Sequence, residues 1–275
     1  MIAASAAFTV MISCVKVAGT WGFPSAELMV WRALPAVPAL FLLSGLDWRV
    51  QRPGLLLVRC VFGFCAMFCF FSSTSGLGIG ELSVLTKLQP LFVAVIAPLA
   101  LGSAEKPGRT VWVALALGMA GTTALVWPFL GEAPLKMAGA AFGLGAAVFS
   151  ALAHTSLRAL GATERPAAVV FWFQLAVGAG AITAVALGSE AVHPPSATQV
   201  PVLLTIALCA LLGQLWMTRA YQVDRAARVA AASYVSPLMG FVVDALFFGT
   251  VPSGWAALGA LLVFAAGGVL LGARP

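Results

Sequence analysis

Charged side chains are scarce in this sequence. Asp, Glu, Lys and Arg make up 9% of its 275 residues, and hydrophobic residues make up 61%. A soluble globular domain carries about 25% charged residues. A soluble protein of this size would lack the charges needed to cover its surface, so the composition predicts an integral membrane protein. The mean hydropathy of +1.03 supports the same conclusion.

Residues that build catalytic and metal sites are also few. The five cysteines lie within apolar runs and form no Cys-x-x-Cys pair, a pattern typical of free thiols that pack as small hydrophobic groups. The two histidines, His154 and His193, fall on opposite sides of the predicted membrane. Walker, HExxH and Ser-His-acid motifs are absent from the sequence. We therefore expect no enzymatic activity, no metal site and no cofactor.

Long apolar runs occupy almost the whole chain. Glycine- and proline-rich turns divide them into ten segments, each close to the length of about 20 residues that a transmembrane helix needs. Their bounds are 1–18, 26–45, 54–74, 81–102, 109–128, 136–158, 166–187, 200–222, 227–249 and 253–273. The runs are continuous rather than alternating, which indicates helices and not barrel strands. We therefore expect an all-α polytopic protein with ten transmembrane helices.

Basic residues alternate between successive connections. Eleven of the 15 Lys and Arg residues, among them Arg59, belong to connections 2–3, 4–5, 6–7 and 8–9, to the helix turns that flank them or to the C-terminus. The other connections hold Lys136 alone. Because Lys and Arg accumulate on the cytoplasmic side, we expect both termini in the cytoplasm and the protein in the inner (plasma) membrane. The scattered charges do not indicate a nucleic-acid partner.

The two halves of the chain are similar to each other. A shift of 147 residues aligns LQPLFVAVIAPLALG (88–102) with VSPLMGFVVDALFFG (235–249), so that Pro90 meets Pro237. Since five spans is an odd number, the second copy enters the membrane from the opposite face, which predicts inverted repeats. The expected repeats cover residues 1–130 and 131–275. Each proline removes a backbone hydrogen bond near the bilayer midplane and predicts a helix kink beside a cavity.

The two Pro-Leu…Leu-Gly segments, one in each half, are accompanied by further motifs along the chain. These are Gln214, Thr218-Arg219-Ala220-Tyr221, the glycine-rich fifth and tenth spans, Lys16, Glu27, Arg32, Arg59 and Gly63. Together they resemble the EamA-type branch of the drug/metabolite transporter superfamily. The chain departs from that pattern at Gly102-Ser103, where the family often has Gly-Glu. The resemblance implies a ten-helix permease that moves amino acids, nucleotide-like metabolites, metallophores or drugs, mostly outward.

Four ionisable residues fall deep within the predicted spans. A charge at a helix centre costs at least ~2.5–3.5 kcal/mol on insertion scales and usually faces a cavity. The four share the outer half of the membrane: Lys16, Arg32, Lys87 and Asp244. Three positive charges against one negative charge favour a substrate that is carboxylate-bearing or zwitterionic. Each of these residues also has a structural alternative to substrate binding. Lys16 would extend to the membrane–water interface, Arg32 would pair with Glu27, and Lys87 would pair with Asp244.

Polar and aromatic side chains near these charges complete the predicted site. The candidate substrate-binding residues are Lys16, Arg32, Lys87, Gln89, Trp172, Gln214, Tyr221, Tyr234 and Ser236. Asp244 is the only acidic residue that we place deep within a span, which makes it the candidate for proton coupling. We expect His154 to be a hydrogen-bonded packing residue.

The sequence thus predicts a secondary transporter, monomeric or homodimeric in the lipid bilayer. We expect it to export a small polar metabolite, such as an amino acid or amino-acid derivative, by alternating access through a central cavity. A multidrug or organic-cation exporter of the same fold is the first alternative, with Asp244 as the cation anchor. A membrane-embedded enzyme or lipid-handling scaffold is the alternative from a different class.

The orientation is tested by reporters fused after Pro275. Because the basic residues place this end in the cytoplasm, we expect a fluorescent-protein fusion to be bright and an alkaline-phosphatase fusion to be inactive. A phosphatase fusion after Lys136 serves as the control, since that connection is predicted on the opposite side. A reporter after Pro275 that is active only in the periplasm would refute the helix count.

Overall fold

Helices form all the regular structure in the described part of the chain. The computed structural model describes residues 1–43, 48–74, 84–127, 137–188, 194–248 and 254–272. Seven helical segments there are long and apolar enough to cross a membrane. They are Ile2–Thr20, Pro53–Phe70, Val84–Leu101, Met137–Leu160, Pro166–Leu187, Val200–Val223 and Gly254–Gly272. The prediction of an all-α polytopic membrane protein is therefore confirmed.

Besides a short helical stretch at 84–86, these ranges contain twelve longer α-helices. They are α1 (Ile2–Thr20), α2 (Ser25–Ala33), α3 (Ala36–Leu43), α4 (Pro53–Thr74), α5 (Gln89–Leu101), α6 (Arg109–Val126), α7 (Met137–Leu160), α8 (Pro166–Leu187), α9 (Val200–Val223), α10 (Ala226–Ala231), α11 (Val235–Phe248) and α12 (Gly254–Gly272). Two short 3₁₀ turns, Ser103–Glu105 and Ala232–Tyr234, lie after α5 and between α10 and α11.

Three of the predicted segments contain interrupted helices. The second is divided into α2 and α3 by a turn at Leu34–Pro35, because Pro35 has no N–H to continue the helix. In the fourth, a turn at Lys87–Leu88 precedes α5. The ninth is divided by the 3₁₀ turn Ala232–Tyr234.

Pro90 and Pro237 both follow such an interruption. Pro90 is the second residue of α5, and Pro237 is the third residue of α11. In the first turn of a helix the backbone N–H has no intrahelical partner, so proline fits there without the loss of a hydrogen bond. The two prolines therefore begin the second part of an interrupted helix rather than bend a continuous one.

Long helices pack in pairs drawn from the two halves of the chain. The most extensive contacts join α4 to α7, α6 to α12 and α1 to α9. Glycine allows the close approach of α6 and α12, since a Cβ atom at Gly121 would lie 2.9 Å from the carbonyl oxygen of Gly259. Helix α2 packs on α8, and α5 on α10. The interior of the bundle is thus built from helices of both halves.

Candidate functional site

A buried arginine lies at the centre of the bundle. Arg59 is on α4 and is 2% exposed, the largest of the fully buried side chains. Its guanidinium carbon lies 3.9 Å from the centroid of the Phe173 ring on α8, which is a cation–π contact. Its Nη2 atom lies 3.5 Å from the Oε1 atom of Gln214 on α9. Three helices therefore hold this guanidinium in the interior.

A second arginine lies beside it. Arg32 is in the last turn of α2, and its Nη1 atom lies 3.3 Å from the sulfur of Met67. The carbonyl oxygen of Arg32 accepts a hydrogen bond from Nε2 of Gln174, at 3.5 Å. Arg32 and Arg59 are close enough for their positive charges to repel each other. The interior thus carries two neighbouring guanidinium groups.

The contacts described above, within the part of the chain that the structure describes, give neither guanidinium an acidic partner. Ion pairs seen there include Arg158 with Glu105 and Arg228 with Asp224. The Nε atoms of Arg32 and Arg59 are buried without a hydrogen-bond partner in the same part of the chain. The alternative pairing of Arg32 with Glu27 stays a prediction. Because a buried charge without a counter-ion is costly, the arrangement suits an anionic group supplied by a ligand.

Three polar side chains lie near Arg59 and contact one another. The Nδ1 atom of His154 lies 2.9 Å from Nε2 of Gln89 and 3.4 Å from the hydroxyl of Tyr221. The rings of His154 and Tyr221 are stacked, with centroids 4.8 Å apart. His154 also lies near both Arg59 and Lys87. This histidine is hydrogen-bonded and packed, as predicted, and it has two cationic residues in its neighbourhood.

Lys87 joins the interruptions of the fourth and ninth predicted segments. Its Nζ atom donates to the carbonyl oxygen of Ser233 at 3.2 Å, and the Tyr234 hydroxyl donates to the carbonyl oxygen of Lys87 at 3.0 Å. Both carbonyls belong to the interruptions described above, where the helical hydrogen bonding is broken. Lys87 and Tyr234 are also separated by the 147 residues that relate the two halves of the sequence. Each interruption therefore contributes a side chain that satisfies a carbonyl of the other.

The remaining predicted site residues are less central. Lys16 is exposed on α1. Trp172 is 38% exposed, and its indole N–H donates to the carbonyl oxygen of Trp48 at 3.2 Å. The Ser236 hydroxyl contacts the Ser5 hydroxyl at 3.2 Å and donates to the Ser233 carbonyl. The side chain of Asp244, on α11, lies outside the described residues.

Sequence reasoning missed Arg59 as a site residue. We counted it with the basic residues flanking a cytoplasmic connection, although it is six residues into the predicted segment 54–74. Two features of the sequence indicate an interior position for Arg59: its distance from the end of the predicted segment, and Gly63 one helical turn further on. Gly63 leaves the space that the guanidinium and the Phe173 ring occupy, because a Cβ atom there would collide with both.

Comparisons with known proteins agree on one kind of protein. The family model of the EamA-like transporter family matches residues 1–127. The chain is 31% identical over 268 residues to the pseudopaline exporter CntI of Pseudomonas aeruginosa, covering 96% of this chain and 92% of that protein. It is 29% identical over 258 residues to a riboflavin transporter of Rhizobium johnstonii, covering 89% of this chain and 80% of that protein.

A more distant sequence relative and a solved structure also match the chain. Solute carrier family 35 member G1 of Homo sapiens is 24% identical over 253 residues, which cover 88% of this chain and 68% of that protein. A protein of known crystal structure, 19% identical, superposes with a TM-score of 0.78 over 97% of this chain and 95% of its own. At that identity the superposition shows a common fold.

The tight packing around Arg59 is tested by Gly63→Ala, with Gly54→Ala on the same helix as its control. Overpacking costs about 1–3 kcal/mol, more than the roughly 1 kcal/mol that alanine gains over glycine in a helix. A Cβ atom at Gly54 meets nothing within 4 Å. We expect thermal unfolding in detergent to show a lower midpoint for Gly63→Ala and an equal or higher midpoint for Gly54→Ala. Equal midpoints for the two variants would contradict the described packing.

Proposed function

Because this chain belongs to the EamA-like transporter family, we propose that it is a secondary transporter that exports a small polar metabolite carrying a carboxylate. Amino acids and their derivatives are the favoured substrates. The transporter class rests on the family and on relatives that are named as exporters or transporters. The substrate class is argued from the buried charges.

The observation that carries the proposal is a pair of interior guanidinium groups: Arg59 is fully buried, and Arg32 is partly buried with its Nε atom shielded from solvent. Arg32 and Arg59 each leave Nε without a partner within the described part of the chain, and none of their contacts described above is to a carboxylate. A carboxylate binds guanidinium through short, charge-assisted hydrogen bonds that are stronger than those between neutral groups. A substrate carboxylate at this position would supply the counter-ion that the protein does not.

A neighbouring amide supports a zwitterionic substrate. Gln174 is completely buried, and its Oε1 atom has no hydrogen-bond partner in the described ranges. Since an amide oxygen only accepts hydrogen bonds, it suits the amino group of a substrate whose carboxylate is bound by the arginines. Gln89, Gln214 and Tyr221 provide further polar groups for orientation.

The symmetry of the helix packing supports ten spans arranged as two inverted repeats, residues 1–130 and 131–275. Under that arrangement α1 corresponds to α7 and α4 to α9, so the pair α4–α7 becomes the pair α9–α1. Both pairs are among the most extensive contacts in the bundle. Likewise, α5–α7 becomes α11–α1, and these helices also pack together. We propose alternating access by movement of these related units about the centre, with both termini in the cytoplasm.

Asp244 remains our candidate for proton coupling. It lies on α11, the helix that follows the Tyr234 interruption. Glu27, Glu105 and Glu164 are further buried carboxylates among the described residues, and they are the alternatives against which Asp244 is tested.

Counterflow in proteoliposomes tests the proposal, with a panel of amino acids, their carboxamides and organic cations. We expect Arg59→Gln to reduce carboxylate-dependent counterflow by at least about tenfold, since loss of a charge-assisted pair costs more than the ~1.4 kcal/mol that a tenfold change requires. Arg219→Gln is the matched control, because Arg219 is exposed on α9. We expect it to retain the wild-type rate.

Two other outcomes of the counterflow experiment would contradict the proposal. Transport of organic cations alone, unaffected by Arg59→Gln or Lys87→Gln, would favour the multidrug exporter and contradict a carboxylate-bearing substrate. A flux that neither saturates nor shows counterflow would indicate a channel.

A further inference from the structure

A continuous hydrogen-bonded network lies at the end of the bundle that the basic residues place in the cytoplasm. Glu105, in the 3₁₀ turn after α5, is 4% exposed. Its Oε1 atom accepts from Nε of Arg158 at 2.7 Å, and its Oε2 atom accepts from the backbone N–H of Ala226 at 2.9 Å. One carboxylate thus binds both the last turn of α7 and the first residue of α10.

Glu164 makes the equivalent contacts on the other side of this end. It is 6% exposed and lies in the connection between α7 and α8. Its Oε1 atom accepts hydrogen bonds from the backbone N–H groups of Gln51 and Arg52, at 2.9 and 2.8 Å. These residues directly precede α4, and a negative charge is favourable at the start of a helix.

Arg158 and Gln222 connect the two carboxylates. Arg158 Nη1 donates to the carbonyl oxygen of Gln222 at 3.0 Å, and Gln222 Nε2 donates to the carbonyl oxygen of Glu164 at 3.1 Å. The backbones approach closely here, because a Cβ atom on Gly161 would lie 2.7 Å from Cα of Gln222. The network therefore runs without a break from the start of α4 to the start of α10.

The two carboxylates both bind across the halves of the chain. Glu105 belongs to the first half and binds Arg158 and Ala226 in the second. Glu164 belongs to the second half and binds the backbone before α4 in the first. Alternating access requires the halves to separate at one end while they meet at the other. Polar bonds suit a contact that opens repeatedly, since water can replace each partner when it opens.

We propose that Glu105, Arg158, Gln222 and Glu164 form the cytoplasmic gate of the transporter, and that the structure shows this gate closed. The proposal rests on the alternating access and orientation proposed above. The gate must open for a substrate to reach Arg59 from the cytoplasm, and its closure allows release on the opposite side. The proposed substrate site, at Arg32 and Arg59, does not include any of these four residues.

Thiol labelling tests the gate without a substrate. Cys60 follows Arg59, is 8% exposed and belongs to the same buried cluster as Leu157 and Leu160 on α7. A protein that retains Cys60 alone, with the other four cysteines replaced by alanine, is reacted with a membrane-impermeant maleimide in inside-out vesicles. The double variant Glu105→Gln/Glu164→Gln weakens the gate while it preserves side-chain size.

We expect the double variant to raise the labelling rate of Cys60 by about tenfold. A tenfold increase in the population of the state with an open gate requires only ~1.4 kcal/mol. Asp224→Asn is the matched control, because Asp224 is an exposed acid on the same side whose partner Arg228 lies 3.8 Å away. We expect that control to label at the wild-type rate. In a separate variant, Glu105→Arg/Arg158→Glu, the ion pair is kept with its charges exchanged. We expect Cys60 in that variant to be labelled at close to the wild-type rate.

Unchanged labelling in the folded double variant would overturn the gate. If that variant fails to fold, Gln222→Met removes only the side-chain bond to Glu164, and unchanged labelling there has the same meaning. Because no substrate is added, a failure of the carboxylate hypothesis leaves this result unaffected. Conversely, an absent gate leaves the counterflow test of Arg59 valid.

Discussion

The burial of Arg59, with the partly buried Arg32 nearby, is the constraint on which the rest of the site depends. A guanidinium in the membrane interior must be compensated, and this protein does so with the ring of Phe173 and the amide of Gln214 rather than with an acid from its described residues. Such compensation is incomplete, because an aromatic face and a neutral amide do not cancel a full charge. Under the proposed function, the carboxylate of a substrate completes this compensation while it is bound.

A related constraint acts on the two helix interruptions at Lys87–Leu88 and Ala232–Tyr234. Breaks in a membrane helix expose carbonyl groups, and these must find partners where no lipid can supply them. Lys87 and Tyr234 satisfy one carbonyl each across the interface between the halves. Each interruption thus depends on a hydrogen-bond donor from the other interruption. These two contacts couple the two halves of the chain. Glu105 and Glu164 couple the same halves at one end.

Parts of this architecture were predictable from the sequence because they depend on local chemistry. Apolar run length placed the helices, and proline located the breaks near Pro90 and Pro237. Contacts over long sequence separations were not predictable. Glu164 binds backbone groups more than 100 residues earlier, and the sequence alone gives no reason to pair them. The direction of a side chain around a helix is equally hidden: Trp172 is on the periphery, whereas Phe173 contacts the central arginine.

Ligand-dependent thermal stability of the purified protein tests the central claim, that an external carboxylate neutralises the buried arginines. Binding to the folded state raises its apparent stability by mass action, so even millimolar ligands are detectable. Amino acids and their carboxamides are compared in the wild type and in Arg59→Gln. We predict that at least one amino acid raises the unfolding midpoint of the wild type while its carboxamide does not, and that the difference is lost in Arg59→Gln. Equal stabilisation by acid and carboxamide, or stabilisation that survives in Arg59→Gln, would contradict the account.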